Sequence, residues 1–317
     1  MAVFTPLSSG DVSRALSLFD LGEPTGFEPI AAGIENTNYF LDTTRGRWVL
    51  TVFERLSPDE LPYYLELCEH LKNKGCRVAC PARSRAGRLF EFLHGKLFSI
   101  ADRLEGENVV EMSERECASI GTELARMHLA ARDFARSQPN LRGLAWWLET
   151  APRVAPFLSG EQQELLTSEL AHQQSVHERA SELPGSACHC DLFRNNALIA
   201  GHGTDQAHVA GIFDFYFAGN VPWLYDLAVT VNDWCIDPGT GLLVEPRMRA
   251  LLEAYEAVRP ITSLERSFWR DMLRAGALRF WISRLYDFYL PREASLLKPH
   301  DPTHFERILR DRRTCAL

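Results

Sequence analysis

One short segment in the second part of the chain combines residue types that can accept a proton and bind a cation. It holds His189, Asp191 and Asn196, and a second carboxylate, Asp214, follows a little later. A carboxylate can accept the proton of a substrate hydroxyl, and a carbonyl oxygen beside a carboxylate suits Mg²⁺, which prefers oxygen ligands. These side chains therefore indicate chemistry on a hydroxyl group, assisted by a divalent cation, if the fold brings them together.

A predicted β-hairpin would bring two of these residues together. Two apolar stretches, residues 197–200 and 209–213, flank a polar turn that contains two glycines. With the turn centred in the middle of the polar stretch, the residue before the first strand lies opposite the end of the second. We therefore expect Asn196 and Asp214 side by side at the open end of the hairpin, with Asp191 on the loop that precedes it.

Composition places the chain among ordinary globular proteins. Its 317 residues are 46% hydrophobic and 24% charged, enough for one large core or two modest ones. The net charge of −8 argues against non-specific binding to nucleic acid or to an anionic membrane. Residues 1–20 lack the pattern of a secretory signal, and polar residues interrupt the most apolar stretch, Val209–Val231. We expect a cytoplasmic protein with no nucleic-acid or membrane partner; the oligomeric state stays open.

The cysteines predict reduced thiols. The chain has 8 cysteines, none of them in a CxxC pair, which is unlike the disulfide framework of a small secreted protein. The run Cys188-His189-Cys190 has the residue types of a zinc site. Adjacent strand residues point to opposite faces, however, and no second ligand pair follows at a usual spacing. Zinc is therefore not the expected chemistry.

The elements that precede the polar segment are predicted to be mainly strands. Aromatic and β-branched residues are frequent there, with turn residues between the runs. The predicted strands are Gly26–Ala32, Thr37–Thr43, Arg47–Phe53, Arg88–Phe92 and Lys96–Asp102. One helix interrupts them, because apolar residues recur at helical spacing from Leu61 to Leu71 and Gly75 follows as a stop.

After a connector at Leu104–Asn108, the chain is predicted to be largely helical. Ser113 and Glu116 form a capping box, which satisfies the first free N–H groups of a helix. His128 continues the apolar stripe of that helix, so we expect it to be buried and hydrogen-bonded. Residues 132–145 are predicted to be irregular. Further helices are predicted at residues 161–182, 245–258 and 263–290.

The spacing His189-x-Asp191-x₄-Asn196, followed by Asp214, resembles the catalytic and metal-binding loops of protein kinases and of aminoglycoside-phosphotransferase-like small-molecule kinases. The resemblance implies that Asp191 is the catalytic base and that Asn196 and Asp214 hold Mg²⁺. It implies that His189 braces the loop. Asp226 resembles the helix-borne aspartate that supports the catalytic loop in these kinases.

The same resemblance implies the fold and the cofactors. The expected fold is of the α+β class, protein-kinase-like and two-lobed. A β-rich nucleotide lobe would occupy residues 1–103, and a mostly helical catalytic and substrate lobe would occupy residues 104–317. The expected cofactors are ATP and Mg²⁺.

Three differences from protein kinases stand out. Tyr216 occupies the position of the glycine in the Asp-Phe-Gly switch, so that switch is not expected. Phe193 replaces the lysine of the catalytic loop, and the neighbouring Arg194 is the candidate to supply the missing positive charge. Thr51 stands where the phosphate-binding lysine of the small lobe belongs. This last difference leaves open a non-catalytic, nucleotide-binding scaffold.

Longer matches narrow the family. The segments Gly33–Tyr39, Val49–Glu54, Phe213–Gly219 and Asn232–Cys235 closely resemble the kinase-fold homoserine kinases of bacteria, in which threonine at position 51 is expected. The resemblance implies ATP-dependent phosphorylation of the side-chain hydroxyl of L-homoserine, giving O-phospho-L-homoserine, a step toward threonine. Kinases of choline, aminoglycosides or methylthioribose are the alternatives with the same fold.

The resemblance also suggests where the nucleotide binds. Gly33–Tyr39 would be the loop over the ATP phosphates, although it has a single glycine. Within it, Asn36 and Asn38 either donate to phosphate or stabilise a turn. Thr51 lies on the following strand. Leu104 lies in the segment Asp102–Glu105, which resembles the hinge whose backbone groups pair with adenine.

Homoserine is a zwitterion, so its pocket needs a cation for the carboxylate. Arg279 falls on the buried stripe of the last long predicted helix, where a charge must be paired or must face a cavity. It is either the carboxylate clamp or part of an internal ion pair with Asp226 or Asp233. Arg284 lies off that stripe and is the second candidate. Trp234 either belongs to the core or forms a wall of the substrate pocket.

Overall fold

The structure of the chain, a computed structural model, describes residues 4–30, 36–290 and 300–314. The described residues group into two compact units, and the chain passes from the first to the second between Glu105 and Gly106. The first unit is rich in strands and the second is rich in helices. None of the helices in these ranges combines the length and the apolar character that crossing a lipid bilayer requires.

The first unit is built on a five-stranded antiparallel sheet with the order β1-β2-β3-β5-β4. Its strands are β1 (Pro24–Pro29), β2 (Thr37–Thr43), β3 (Gly46–Phe53), β4 (Glu91–Leu93) and β5 (Lys96–Asp102). All five predicted strands are present, with shifted ends at β1, β3 and β4; the predicted residues 31 and 32 lie outside the described ranges. Asn38 lies opposite Thr51, which lies opposite Ser99, so these polar side chains share one face of the sheet.

The other face of this sheet carries the core of the first unit. Its strand residues include Leu41, Leu50 and Ile100, all fully buried. Helix α1 (Ser9–Ser17) packs its apolar residues into the same cluster. The sequence prediction missed α1, although a capping box between Ser8 and Asp11 signals its start. Helix α2 (Leu61–Asn73) was predicted, and it ends just before Gly75, which has a φ of 84° that favours glycine.

The second unit contains most of the helices. They are α3 (Glu114–Ala130), α4 (Leu144–Val154), α5 (Gly160–Arg179), α6 (Trp223–Trp234), α7 (Glu245–Val258), α8 (Ser263–Ser267), α9 (Trp269–Tyr289) and α10 (Thr303–Thr314). The predicted capping box starts α3. The helix predicted at 263–290 is divided at Phe268. Helices α4 and α10 were not predicted, and a helix at α6 was implied only by the resemblance of Asp226 to a helix-borne aspartate.

Two short strand pairs lie among these helices. Strand β6 (Gly185–Cys188) pairs with β9 (Gly219–Pro222), and β7 (Ala197–Ala200) pairs with β8 (His208–Ile212), both antiparallel. The second pair is the predicted hairpin, and Gly201 and Gly203 adopt positive φ values of 68° and 75° in its turn. The catalytic segment of the sequence therefore runs from the end of β6, through a loop, into β7.

Candidate active site

The open end of the β7–β8 hairpin brings the predicted metal ligands close together. Ala197 pairs with Ile212, and the backbone N–H of Phe213 donates to the carbonyl of Asn196 at 3.0 Å. Asn196 and Asp214 are therefore neighbours across the mouth of the hairpin, as the turn predicted. Asp214 is exposed and has a left-handed φ of 66°, a conformation that costs a non-glycine residue about 1 kcal/mol or more.

Asn196 is oriented by the loop that precedes it. Its Nδ2 donates to the backbone carbonyl of Asp191 at 2.8 Å and to the carboxylate oxygen Oδ2 of Asp191 at 3.2 Å. These bonds occupy the donor end of the amide and leave Oδ1 as its acceptor end. The predicted base and one predicted metal ligand are thus in direct contact.

Asp226, on α6, supports the loop around the predicted base. The carboxylate is fully buried and accepts hydrogen bonds from the backbone N–H groups of Cys190 (2.7 Å) and His189 (3.3 Å). It also contacts His128 Nε2 at 3.0 Å. Burial acts to raise the pKa of Asp226, but His128, His189 and the backbone N–H of Cys190 together hold it below the ordinary value. The anchored Cys190 has a left-handed φ of 63°, which turns the chain just before Asp191.

His128 and His189 are both hydrogen-bonded inside the unit. His128 is 1% exposed and reaches the hydroxyl of Tyr255 at 2.7 Å, which confirms the prediction of a buried, bonded histidine. His189 Nδ1 accepts the backbone N–H of Asp191 at 3.3 Å, so the proton on Nε2 can be donated to the carbonyl of Phe213 at 3.0 Å. His189 therefore links the loop of Asp191 to the residue before Asp214.

Arg194 has partners other than those suggested by the sequence. Its Nε lies 3.0 Å from the carboxylate of Asp233, and another of its nitrogens donates to the carbonyl of Val110. Its backbone N–H also donates to Asp233, at 2.7 Å. The guanidinium is engaged within the second unit, and this geometry favours a structural role over the role of a free cation beside the phosphates.

Trp234 does not form a wall of an open pocket. Its side chain has no exposure, and its indole N–H donates to the carbonyl of Leu192 at 3.0 Å. Its assignment to the substrate site was therefore wrong, since a fully buried ring cannot meet a ligand. Trp234 belongs to the core beneath the catalytic loop, one of the alternatives open from the sequence.

The predicted ion-pair partners of Arg279 were wrong. Asp226 is paired with His128 and Asp233 with Arg194, whereas Nη2 of Arg279 lies 3.4 Å from Oδ1 of Asp191. Long-range packing of α9 set this partner, which helical periodicity alone does not reveal. Arg284, further along α9, is partly exposed. Burial lowers the pKa of its guanidinium below the ordinary value, and the charge of Arg279 adds to the decrease.

The predicted nucleotide residues lie in the first unit. The hydroxyl of Thr51 donates to Oδ1 of Asn38 at 2.8 Å, so the two form a cross-strand pair that the sequence did not reveal. Asn36 and Leu104 are partly exposed. Of the predicted phosphate loop, Gly33 and its neighbours at positions 31–35 lie outside the described residues.

The donor set at the hairpin fits a hard divalent cation. Asp214 offers an exposed carboxylate, and because Nδ2 of Asn196 donates to Asp191, Oδ1 is the end of that amide that can accept a cation. A second group of potential ligand atoms belongs to His128, Cys188 and Asp226, and these atoms lie within 4.8 Å of one another. Hydrogen bonds account for that buried group, and burial raises the pKa of the Cys188 thiol well above its ordinary value, which disfavours the thiolate that zinc requires.

Comparisons with known proteins identify the family of this chain. The model of the phosphotransferase enzyme family matches residues 26–261. A homoserine kinase of Burkholderia pseudomallei (strain 1710b) is 53% identical over 317 residues, which cover 98% of this chain and 96% of that protein. A homoserine kinase of Paraburkholderia phytofirmans is also 53% identical, over 99% of this chain and 96% of its own length.

A solved structure supports the fold. The amicoumacin kinase hAmiN, in complex with AMP-PNP, Ca²⁺ and Ami, superposes with a TM-score of 0.71 at 16% identity and covers 97% of this chain and 92% of its own. At that identity the likeness concerns the fold alone. The fold is the protein-kinase-like, α+β fold that the sequence predicts.

Proposed function

This chain belongs to the phosphotransferase enzyme family and, within it, to the homoserine kinases, and we propose that it transfers the γ-phosphoryl group of ATP to the side-chain hydroxyl of L-homoserine. The products are ADP and O-phospho-L-homoserine, and the hydroxyl proton is released. The reaction breaks the bond between the γ-phosphorus and its bridging oxygen and forms a bond from phosphorus to the homoserine oxygen.

The observation that carries this proposal is the meeting of Asp191, Asn196 and Asp214 at one end of the β7–β8 hairpin. A carboxylate in contact with an asparagine amide, beside a second and exposed carboxylate, has one group for the proton and two for a cation. Together with His189, these three residues have the spacing of the kinase loops that the sequence resembles.

We propose that Asp191 accepts the proton of the substrate hydroxyl. Its carboxylate orients the attacking hydroxyl and accepts its proton as the bond to phosphorus forms, a role that contributes about 10²- to 10⁴-fold in rate. The loop that carries it is anchored by Asp226 and His189 through backbone hydrogen bonds. That anchoring supports the proposal, because a base works only when it is held within hydrogen-bond reach of its proton.

Asn196 and Asp214 would hold Mg²⁺ through Oδ1 and the carboxylate. When bound, Mg²⁺ supplies positive charge to the β- and γ-phosphate oxygens of the nucleotide. The amide of Asn196 is oriented for this task by Asp191, and Asp214 is oriented by its left-handed backbone at the end of the hairpin.

The first unit would supply the groups that bind the nucleotide. Thr51 holds Oδ1 of Asn38, so the N–H donors of that amide are left for phosphate oxygens. Asn36, two residues earlier, would add a second amide. Leu104 would offer backbone groups to adenine, which makes the identity of its side chain unimportant.

The substrate requires a positive charge as well as a base. L-Homoserine carries a carboxylate, and α9 offers Arg279 and Arg284 within electrostatic range of Asp191. Choline lacks a carboxylate, so a site with an arginine for that group would leave the arginine unpaired when choline binds. L-Serine is one methylene shorter, and a shift of the hydroxyl by about 1.5 Å can cost about 10²-fold in rate.

The test is ADP release with Mg-ATP across a panel of hydroxyl compounds. The panel contains L-homoserine, L-serine, choline, methylthioribose and an aminoglycoside, each measured over a range of concentrations. We expect kcat/KM for L-homoserine to exceed that for every other compound by about 10²-fold. A higher kcat/KM for choline or for an aminoglycoside than for L-homoserine would contradict the substrate assignment but would still support kinase activity. No turnover of any of them would contradict both.

A further inference from the structure

Two arginines of α9 differ in their surroundings although both are near the proposed base. Arg279 is 4% exposed, whereas Arg284, five positions later, is partly exposed. Five positions rotate a helix by more than one turn, so the two side chains leave it in different directions. Arg279 is already in contact with Asp191, whereas Arg284 has no hydrogen bond or ion pair in the described part of the chain.

Arg279 is enclosed by protein groups. Its guanidinium carbon lies 3.7 Å from the centre of the Phe280 ring and 5.2 Å from that of Phe217. Its Nη2 lies 3.4 Å from Oδ1 of Asp191, and its Nε is shielded from solvent and has no hydrogen-bond partner among the residues that the structure describes. The aromatic faces attract the cation and keep it in place. A ligand carboxylate brought to Nη2 would meet the carboxylate of Asp191, and like charges at that distance repel.

The carboxylate of Asp191 is consequently held from two sides. Arg279 contacts Oδ1, and Nδ2 of Asn196 contacts Oδ2 at 3.2 Å. With both oxygens contacted, the plane of the carboxylate is restricted, and with it the direction from which a hydroxyl can be oriented. A base that could rotate freely would spend less time aligned with its substrate.

Arg284 has the opposite character. Its side chain is partly exposed on α9, and it forms no ion pair with a carboxylate of the described residues. Burial lowers the pKa of its guanidinium, while the charges of Asp191, Asp287 and Asp233 act in the other direction. A partly buried guanidinium that no carboxylate of the described ranges binds is costly, and an anionic ligand would relieve that cost. Arg284 lies five residues, about 7.5 Å of helix rise, beyond Arg279, whose Nη2 contacts Asp191, so such a ligand would lie in the region of the proposed base.

We propose that the two arginines divide the work: Arg279 is a positioning residue that orients the carboxylate of Asp191, and Arg284 binds the carboxylate of the amino-acid substrate. This inference rests on the proposed function and assigns the specificity for an amino acid to Arg284. Arg279, the first candidate for the clamp from the sequence, acts on the reaction only through Asp191.

The experiment compares two acceptors in matched variants. L-Homoserine and 3-aminopropan-1-ol share the hydroxyl, the ammonium group and their spacing, but the second lacks the carboxylate. The variants are Arg279→Met, Arg284→Met and Arg270→Met, which remove the charge and keep an unbranched side chain. Arg270 is exposed on the same helix and serves as the control, which we expect to match wild type. Both acceptors are measured with Mg-ATP for kcat and KM.

Arg284→Met should raise KM for L-homoserine about 10- to 100-fold, the range for losing one charged hydrogen bond. KM for ATP should not change, and the preference for L-homoserine over 3-aminopropan-1-ol should fall by the same factor. Arg279→Met should lower kcat for both acceptors about 10- to 100-fold and leave the preference within about threefold of wild type. The two variants therefore separate binding of the carboxylate from orientation of the base.

Folding of the variants is checked by retained ADP binding. If Arg279→Met does not bind ADP, Arg279→Lys replaces it, and we expect the same lowered kcat with an unchanged preference, because lysine lacks the planar fork that matches a carboxylate. A loss of preference in either Arg279 variant, or its retention in Arg284→Met, would overturn the division of work. A wild-type enzyme without any preference for L-homoserine would instead overturn the proposed function.

Discussion

Two asparagines, Asn38 in the first unit and Asn196 in the second, present opposite ends of the same side chain. The hydroxyl of Thr51 donates to Oδ1 of Asn38, which leaves the N–H donors of that amide. Nδ2 of Asn196 donates to the carbonyl and the carboxylate of Asp191, which leaves Oδ1. Amide donors suit anionic phosphate oxygens, and an amide oxygen suits a cation. The neighbouring residue, more than the asparagine itself, decides which chemistry each site offers.

The two sites also differ in charge. Thr51 is neutral and stands where protein kinases have a phosphate-binding lysine, whereas Asp191 is a carboxylate that contacts a buried arginine. A neutral amide binds phosphate less strongly than an ammonium group does, because hydrogen bonds that involve a charge on both partners are the stronger ones. We therefore expect the first unit to contribute modestly to nucleotide affinity and the second unit to dominate catalysis.

The largest effect is expected at Asp191. Asp191→Asn removes the proton acceptor and presents an amide to Asn196, so kcat should fall about 10²- to 10⁴-fold. ADP binding, measured by calorimetry, should be retained. Asp237→Asn, at an exposed aspartate after α6, is the control and should match wild type. A kcat for Asp191→Asn near that of wild type would remove Asp191 from the mechanism.

A second prediction concerns the acceptor end of Asn196. Asn196→Ala should raise the Mg²⁺ concentration at half-maximal rate by about tenfold or more, because one oxygen ligand is lost, and Asp214→Ala should raise it further. The measurement is a Mg²⁺ titration of the rate at saturating ATP and L-homoserine. Asn195→Ala changes the exposed neighbour and should leave the titration unchanged. Unchanged Mg²⁺ dependence in Asn196→Ala would refute the proposed ligand.

A third prediction concerns the donor end of Asn38. Asn38→Ala should raise KM for ATP about tenfold without altering the Mg²⁺ titration, since hydrogen bonds to phosphate are lost and the cation ligands are kept. Thr51→Val keeps the shape of residue 51 but frees the amide of Asn38 to rotate, and should raise KM for ATP by a smaller factor, about threefold. If Thr51→Val exceeded Asn38→Ala in effect, the hydroxyl itself would be the phosphate donor.

The smallest effect is expected at the turn of the hairpin that carries Asn196. His202 lies 2.6 Å from the carboxylate of Glu116 at the start of α3, and this hydrogen bond raises the pKa of His202 above the ordinary value. A histidine whose pKa is raised in the folded state stabilises the fold at pH values below the ordinary histidine pKa. This contribution is lost as pH rises through the raised pKa. Wild type should therefore lose this contribution to Tm between pH 6 and pH 8. His202→Gln has no histidine to titrate there, so its Tm should decrease less than that of wild type over the same range.

The same variant tests whether the site depends on the far end of the hairpin. Because Asn196 is oriented by Asp191, His202→Gln should keep kcat and the Mg²⁺ titration of wild type. A change in either would mean that the tip of the hairpin, as well as the neighbouring carboxylate, determines the orientation of Asn196.

Local sequence was sufficient for the elements that carry the proposed chemistry. The polar turn with its two glycines, between two apolar runs, predicted the β7–β8 hairpin, and with it the neighbourhood of Asn196 and Asp214. Ser113 and Glu116 marked the start of α3 in the same way. Signals of this kind depend on residues a few positions apart, and they were readable without knowledge of the rest of the fold.

Tertiary structure alone decided the partners of the charged and aromatic side chains. Helical periodicity placed Arg279 on a buried stripe, but the packing of α9 made Asp191 its partner instead of Asp226 or Asp233. Trp234 was ambiguous until the fold buried its ring beneath the carbonyl of Leu192. A long polar side chain in the interior must find a partner, and the packing of distant segments decides which group lies close enough to bond to it. The neighbouring sequence does not determine that partner.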